Sequence, residues 1–149
     1  MTNNATTELL THVRTFEPQR QTTTTNEDYF REAGVVSMGD NFRAQFLGLE
    51  ISPAPLNILA VHNLEEPSLD KPILEVLGDK AEVSITEFKA FLAGNHKSKE
   101  WFIFYLRGRD GNLWAVHAYW RHDDGWRVGA GSFGRARRWR RGGRVVSRN

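Results

Sequence analysis

The residues best suited to chemistry lie at the end of the chain. Residues 135–149 hold seven arginines and no acid, whereas the other 134 residues carry 13 basic and 18 acidic groups, a balance of −5. The net charge of +2 therefore hides a basic end on an acidic body, a pattern that points to a polyanionic partner. Within GRARRWRRGGR the residues expected to make contact are Arg135, Arg137, Arg138, Trp139, Arg140, Arg141 and Arg144. Guanidinium groups pair with phosphates in a bidentate fork, and an indole can stack on an unpaired base. Contact of this kind is largely indifferent to sequence and falls steeply with salt. The competing reading makes the arginine-rich end part of the scaffold, docked as a last strand through Val145 and Val146.

Other chemistries find little support. The five histidines stand at 12, 62, 96, 117 and 122, with no HExxH, His-x-His or His-x₃-His spacing. His117, His122, Asp123 and Asp124 are competent zinc ligands by type, but they read more simply as a half-buried sheet position followed by a solvated turn. Cysteine is absent, which excludes disulfides, thiolate metal sites and a cysteine nucleophile. No GxSxG or P-loop occurs. Gly129 to Gly134 is glycine-rich, but no lysine and no clear helix follow. Neither a catalytic residue nor a cofactor or metal is expected.

These side chains need a scaffold, and Glu100–Phe133 supplies the clearest one. Trp101–Leu106 is an unbroken run of aromatic and branched residues, a strand by length and type. Phe102, Phe104 and Leu106 share one face and Trp101, Ile103 and Tyr105 the other, so the strand should be central and covered on both sides. Asp110-Gly111 is a hairpin signal. Leu113–Trp120 is a second run, and Trp126, Val128 and Ala130 alternate along a third, expected to be an outer strand. The mid-strand glycines 129 and 131 suggest close packing against something large, for which Trp114 and Trp120 are the candidates. Four of the five tryptophans fall between 101 and 126. They read first as core, and second as a platform for bases or sugars.

Upstream the signals are shorter. Residues 1–26 read as a disordered or loosely docked arm, or as a short docking helix with Leu9, Leu10, Val13 and Phe16 at helical spacing. Asn26 can cap a helical turn, Val35–Met38 reads as a brief strand, and Phe42–Leu49 suits a half-buried strand or one turn of helix. Leu56–Leu64 and Pro72–Leu77 read as strands. Ser84 and Glu87 stand at capping-box spacing, ahead of an apolar stripe of Ile85, Phe88, Phe91 and Leu92 with Gly94 as the stop. The fold expected is therefore α+β in one domain: a mainly antiparallel sheet with a C-terminal three-stranded meander and one short amphipathic helix. An arm at 1–26, a body at 27–134 and the arginine-rich segment at 135–149 complete the plan.

Several blocks resemble a known family. GDNFRAQFLG (39–48), DKPILEVLG (70–78), SITEFKAFL (84–92), NLWAVHAYW (112–120) and Trp139 ahead of GRVVSRN (143–149) are similar to patterns in small uncharacterised proteins of candidate-phyla bacteria. The resemblance spans roughly 25–149. Gln45 stands where that pattern has Trp, Val146 where it has Phe, and the end is richer in arginine. The resemblance implies no activity, cofactor or catalytic residue.

The expectation is a small soluble binding protein rather than an enzyme, one that contacts nucleic acid or another polyanion through its basic end. A protein-interaction module or homo-oligomer is the first alternative, and an enzyme or small-ligand domain with a pocket the sequence does not reveal is the second. Residues 1–16 lack the basic-then-apolar pattern of a leader, and no apolar run approaches the ~18–20 residues of a membrane span. A cytoplasmic protein without membrane contact is expected.

Overall fold

A computed structural model of the chain describes residues 9–17, 24–51, 56–122, 124–132 and 138–149. The two-faced run Trp101–Leu106 becomes a central strand of a seven-stranded sheet. In chain order the strands are β1 (Leu10–Phe16), β2 (Val35–Met38), β3 (Leu59–Leu64), β4 (Trp101–Arg107), β5 (Leu113–Arg121), β6 (Gly125–Ser132) and β7 (Arg144–Arg148). Across the sheet they run β1-β3-β7-β4-β5-β6-β2. The β7/β4 and β6/β2 pairs are parallel and the other four antiparallel, so the sheet is mixed, with most of its pairings antiparallel.

β4, β5 and β6 do pair antiparallel in chain order, but they are not a C-terminal unit. β7 follows them and inserts between β3 and β4, and β2 lies outside β6. β6 is thus interior, where an outer strand was expected. Residues 10–16 form an edge strand, not a docking helix. A register shift between His12 and Arg14 breaks their alternation, and Val13 is left exposed at the bulge.

Four helices, rather than one, occur among the described residues: α1 (Glu27–Arg31), α2 (Asp40–Phe46), α3 (Asp70–Leu77) and α4 (Ile85–Gly94). The Asn26 side chain accepts from the Tyr29 amide at the start of α1, and both halves of the Ser84–Glu87 capping box form at α4. The run expected as a strand at Pro72–Leu77 is α3. Pro72 sits in its first turn, where a missing N–H costs nothing, and Ile73 and Leu77, one turn apart, are its buried apolar positions. In α2 the same spacing buries Phe42 and Phe46 and leaves Ala44 exposed.

Side-chain alternation on the sheet divides the core in two. On one face Phe102, Phe104, Leu106, Val61 and Val146 meet the aromatic residues of α1, α2 and α4, with Phe88 edge-on to Phe104 at 4.8 Å and Phe91 to Phe102 at 4.9 Å. On the other, Ile103, Tyr105 and Val145 meet Ile73 and Leu77 of α3, together with Trp139. That second cover stops short. His117, Tyr119 and Arg127, on the same face of β5 and β6, belong to neither cluster and stay partly exposed. No helix among the described residues is long and apolar enough to cross a membrane.

The α3 face also holds a titratable group. His62 of β3 is 5% exposed; its Nε2 lies 3.0 Å from the Ser147 hydroxyl, and its Nδ1 has no partner among the described residues. Burial, reinforced by the charges of His12 and Lys80, lowers its pKa from 6.5 to about 4. Between those values the unfolded chain binds a proton that the native state refuses. The stability of the neutral form is therefore complete above pH 6.5 and declines as the pH falls towards 4, a loss of about 3 kcal/mol for a shift of this size. Urea melts from pH 7 to 4 should show this decline. His62→Leu should flatten it and change stability at pH 7 by no more than about 1 kcal/mol, since it also removes the orphaned nitrogen.

Candidate functional site

Between the start of β4 and the segment leading into β7 lies a cleft of about 640 Å³, within the range of small-ligand sites. One wall is Trp101, Ile103 and His117 of β4 and β5. The other is the strap 138–143, which brings Arg138, Arg140 and Arg141 to the rim.

The strap is fixed in place by its backbone and by one tryptophan. Trp139 pairs with Ser68 through both backbone hydrogen bonds, 2.8 and 3.1 Å. Its indole N–H donates to Asp70 Oδ1 at 2.6 Å, and it is 8% exposed. In an extended segment neighbouring side chains point to opposite sides. An inward Trp139 thus turns Arg138 and Arg140 outward, and both are exposed. Gly142, at φ +91°, takes a left-handed turn that suits glycine. It hydrogen-bonds the Leu64 carbonyl, and the Leu64 amide donates to the Gly143 carbonyl, each at 2.8 Å. The turn delivers the chain into β7.

The aromatic wall is a short stack. Trp101 lies flat on Tyr119, its cross-strand partner, with centroids 4.3 Å apart and planes 5° from parallel. His117 continues the layer at 5.6 Å and 19° from Trp101. Its ring lies over Gly129, where a Cβ would come within 2.6 Å. The large group demanded by that glycine is therefore His117, not Trp114 or Trp120, which lie on the opposite face. Trp101 remains 47% exposed and lines the cleft.

The cleft is electropositive. Lys99, Arg138, Arg140 and Arg141 line it with one carboxylate, Glu100. Glu100 is already matched by Arg144 at 2.6 Å and Arg14 at 3.1 Å. Burial works to raise its pKa, but hydrogen bonds and charge from the two arginines outweigh burial and hold the carboxyl below its ordinary range. Across the strap Glu65 is held low in the same sense, chiefly by hydrogen bonds from Thr11 and Asn63, with Arg141 and Arg144 adding their charge.

Of the seven residues expected to contact a polyanion, Arg138, Trp139, Arg140 and Arg141 line the cleft. Trp139 does so as a buried anchor and not as an open stacking surface. Arg144 is engaged elsewhere, donating to Glu100 and to the Asn63 side chain. Arg135 and Arg137 lie outside the described residues, as do Asp123 and the last two positions of the 129–134 glycine run. His117 and His122 do not converge: His117 lies over Gly129, and His122 is exposed in the β5–β6 turn. Among the described residues no group of three His, Asp or Glu side chains is placed to hold a metal ion. Sequence reasoning missed Lys99 as a site residue, and it read Trp101 first as core and only second as part of an aromatic platform. The available signal was position, since Trp101 follows the polar stretch Asn95–Glu100 and so begins its strand at the sheet's end, where cover is thin.

Comparison of the chain with protein-family models, with curated proteins and with solved structures yields no match.

Proposed function

We propose that this is a binding protein for polyanions, above all single-stranded nucleic acid, and that the cleft beneath the 138–143 strap is its contact site. The observation that carries this reading is that Arg138, Arg140, Arg141 and Lys99 line one cleft with a half-exposed tryptophan, where the one lining carboxylate among the described residues is neutralised by two other arginines. A backbone of phosphates supplies the matching charge, and the aromatic wall favours strands whose bases are unpaired.

The test is anisotropy of labelled single-stranded RNA and DNA with the full chain and with an Arg138→Ala/Arg140→Ala/Arg141→Ala variant, across a salt titration. All three side chains are exposed, so the variant should fold. Each lost phosphate contact on a single strand removes about 0.7 from the slope of log K against log salt. A reduction of about 2 is expected, with affinity at low salt down by at least tenfold. Absence of binding by the parent at low salt, or an unchanged slope in the variant, would refute the assignment.

A further inference from the structure

Building on that reading, we infer that Trp101 is a stacking seat for one unpaired base, preferentially a purine, with the adjoining phosphates held by the strap arginines. Tyr119 and Trp101 already form two parallel layers, 4.3 Å apart and 5° from coplanar. A flat ring with one side packed against another ring is held in orientation, so a third ring added to it costs little further ordering. Among the described residues Trp101 is also the one aromatic among the exposed large apolar residues, at 47%, although its strand neighbours from Phe102 to Leu106 are all buried. It lines the cleft.

The surroundings select for a nucleotide over a purely apolar partner. Arg138, Arg140 and Arg141 form the opposite rim, and the space between is about 640 Å³, room for a base and its sugar with the phosphates at the rim. A base in a duplex cannot reach this seat without leaving its stack, which costs a few kcal/mol; duplex should therefore bind by charge alone. Purines present the larger ring face and should stack better than pyrimidines.

The probes are an oligoadenylate strand, an oligouridylate strand, an abasic strand of the same length and a blunt duplex, each with the full-length protein. Stacking on an aromatic side chain is worth about 1–3 kcal/mol per base, so the adenine strand should bind roughly 5- to 150-fold more tightly than the abasic one, with uridine between. Trp101→Ala should abolish that preference and leave the salt slope intact, and Trp101→Phe should restore part of it. Equal binding of adenine and abasic strands with a steep salt slope would overturn the seat and leave the polyanion site standing. So would a preference that survives Trp101→Ala. No binding of any strand at low salt would overturn both. DNA strands of the same sequences show whether the sugar is read.

Discussion

A chain ending at residue 143 is expected not to fold. β7 is only Arg144–Arg148, but it lies inside the sheet, antiparallel to β3 along its length and parallel to the start of β4. Its removal separates β1 and β3 from the remaining four strands. Val145 and Val146 are both fully buried, one in each core cluster; their burial alone is worth about 1.5–3 kcal/mol each, before the loss of both hydrogen-bonding ladders. Against a typical domain stability of about 5–15 kcal/mol, little would remain. Far-UV circular dichroism and urea melts of residues 1–143 should show no cooperative transition, and a native-like transition would refute the inserted strand. Val146→Asp, which buries a charge without shortening the chain, should cost several kcal/mol. Deletion of the basic end is consequently the wrong binding control, because it removes the proposed ligand contacts and the fold together. Side-chain truncation at Arg138, Arg140 and Arg141 separates the two.

The same strand shows what the sequence made legible and what it obscured. Two adjacent apolar residues, Val145 and Val146, point to opposite faces and are the mark of a strand covered on both sides. Their arginine neighbours made a basic tail the first reading and a docked last strand the second. β4 carries the same mark over six residues, and there it was plain. The capping box of α4 was plain too, because Ser84 and Glu87 satisfy each other locally and need no tertiary partner. α2 and α3 were obscured for a shared reason. Phe42 and Phe46, like Ile73 and Leu77, recur at a spacing of four, which suits one helical face but also two steps of strand alternation, and segments of seven or eight residues offer no further repeats to decide it. In β1 the bulge at Val13 shifts the alternation by one residue, which makes a strand imitate helical spacing. At the site, the cationic half was read directly from composition. The aromatic half was not, since the pairing of Trp101 with Tyr119 depends on strand register and the inward turn of Trp139 depends on an acceptor 69 residues away.

That acceptor should prove as important to the site as any residue lining it. Asp70, the first residue of α3, is 2% exposed. Its Oδ1 accepts from the Tyr105 hydroxyl at 2.7 Å and from the Trp139 indole at 2.6 Å, joining helix, central strand and strap at one atom. The helix N-terminus beside it favours a carboxylate. Asp70→Ala takes this acceptor from two buried donors, each loss costing about 1–3 kcal/mol, so a destabilisation of roughly 2–5 kcal/mol is expected in urea melts. Asp70→Asn keeps an oxygen at the position and should cost less. The second consequence is functional. With that hydrogen bond gone, the strap loses one tie beside its backbone bonds to Ser68 and Leu64, and Arg138 and Arg140 are held less firmly at the cleft. Oligonucleotide affinity of Asp70→Ala, measured where the variant is still fully folded, should fall although Asp70 does not line the cleft. A cycle with Trp139→Phe isolates the bond itself: the two changes should be non-additive by about 0.5–3 kcal/mol. Simple additivity would mean that the carboxylate stabilises α3 and β4 without positioning the strap.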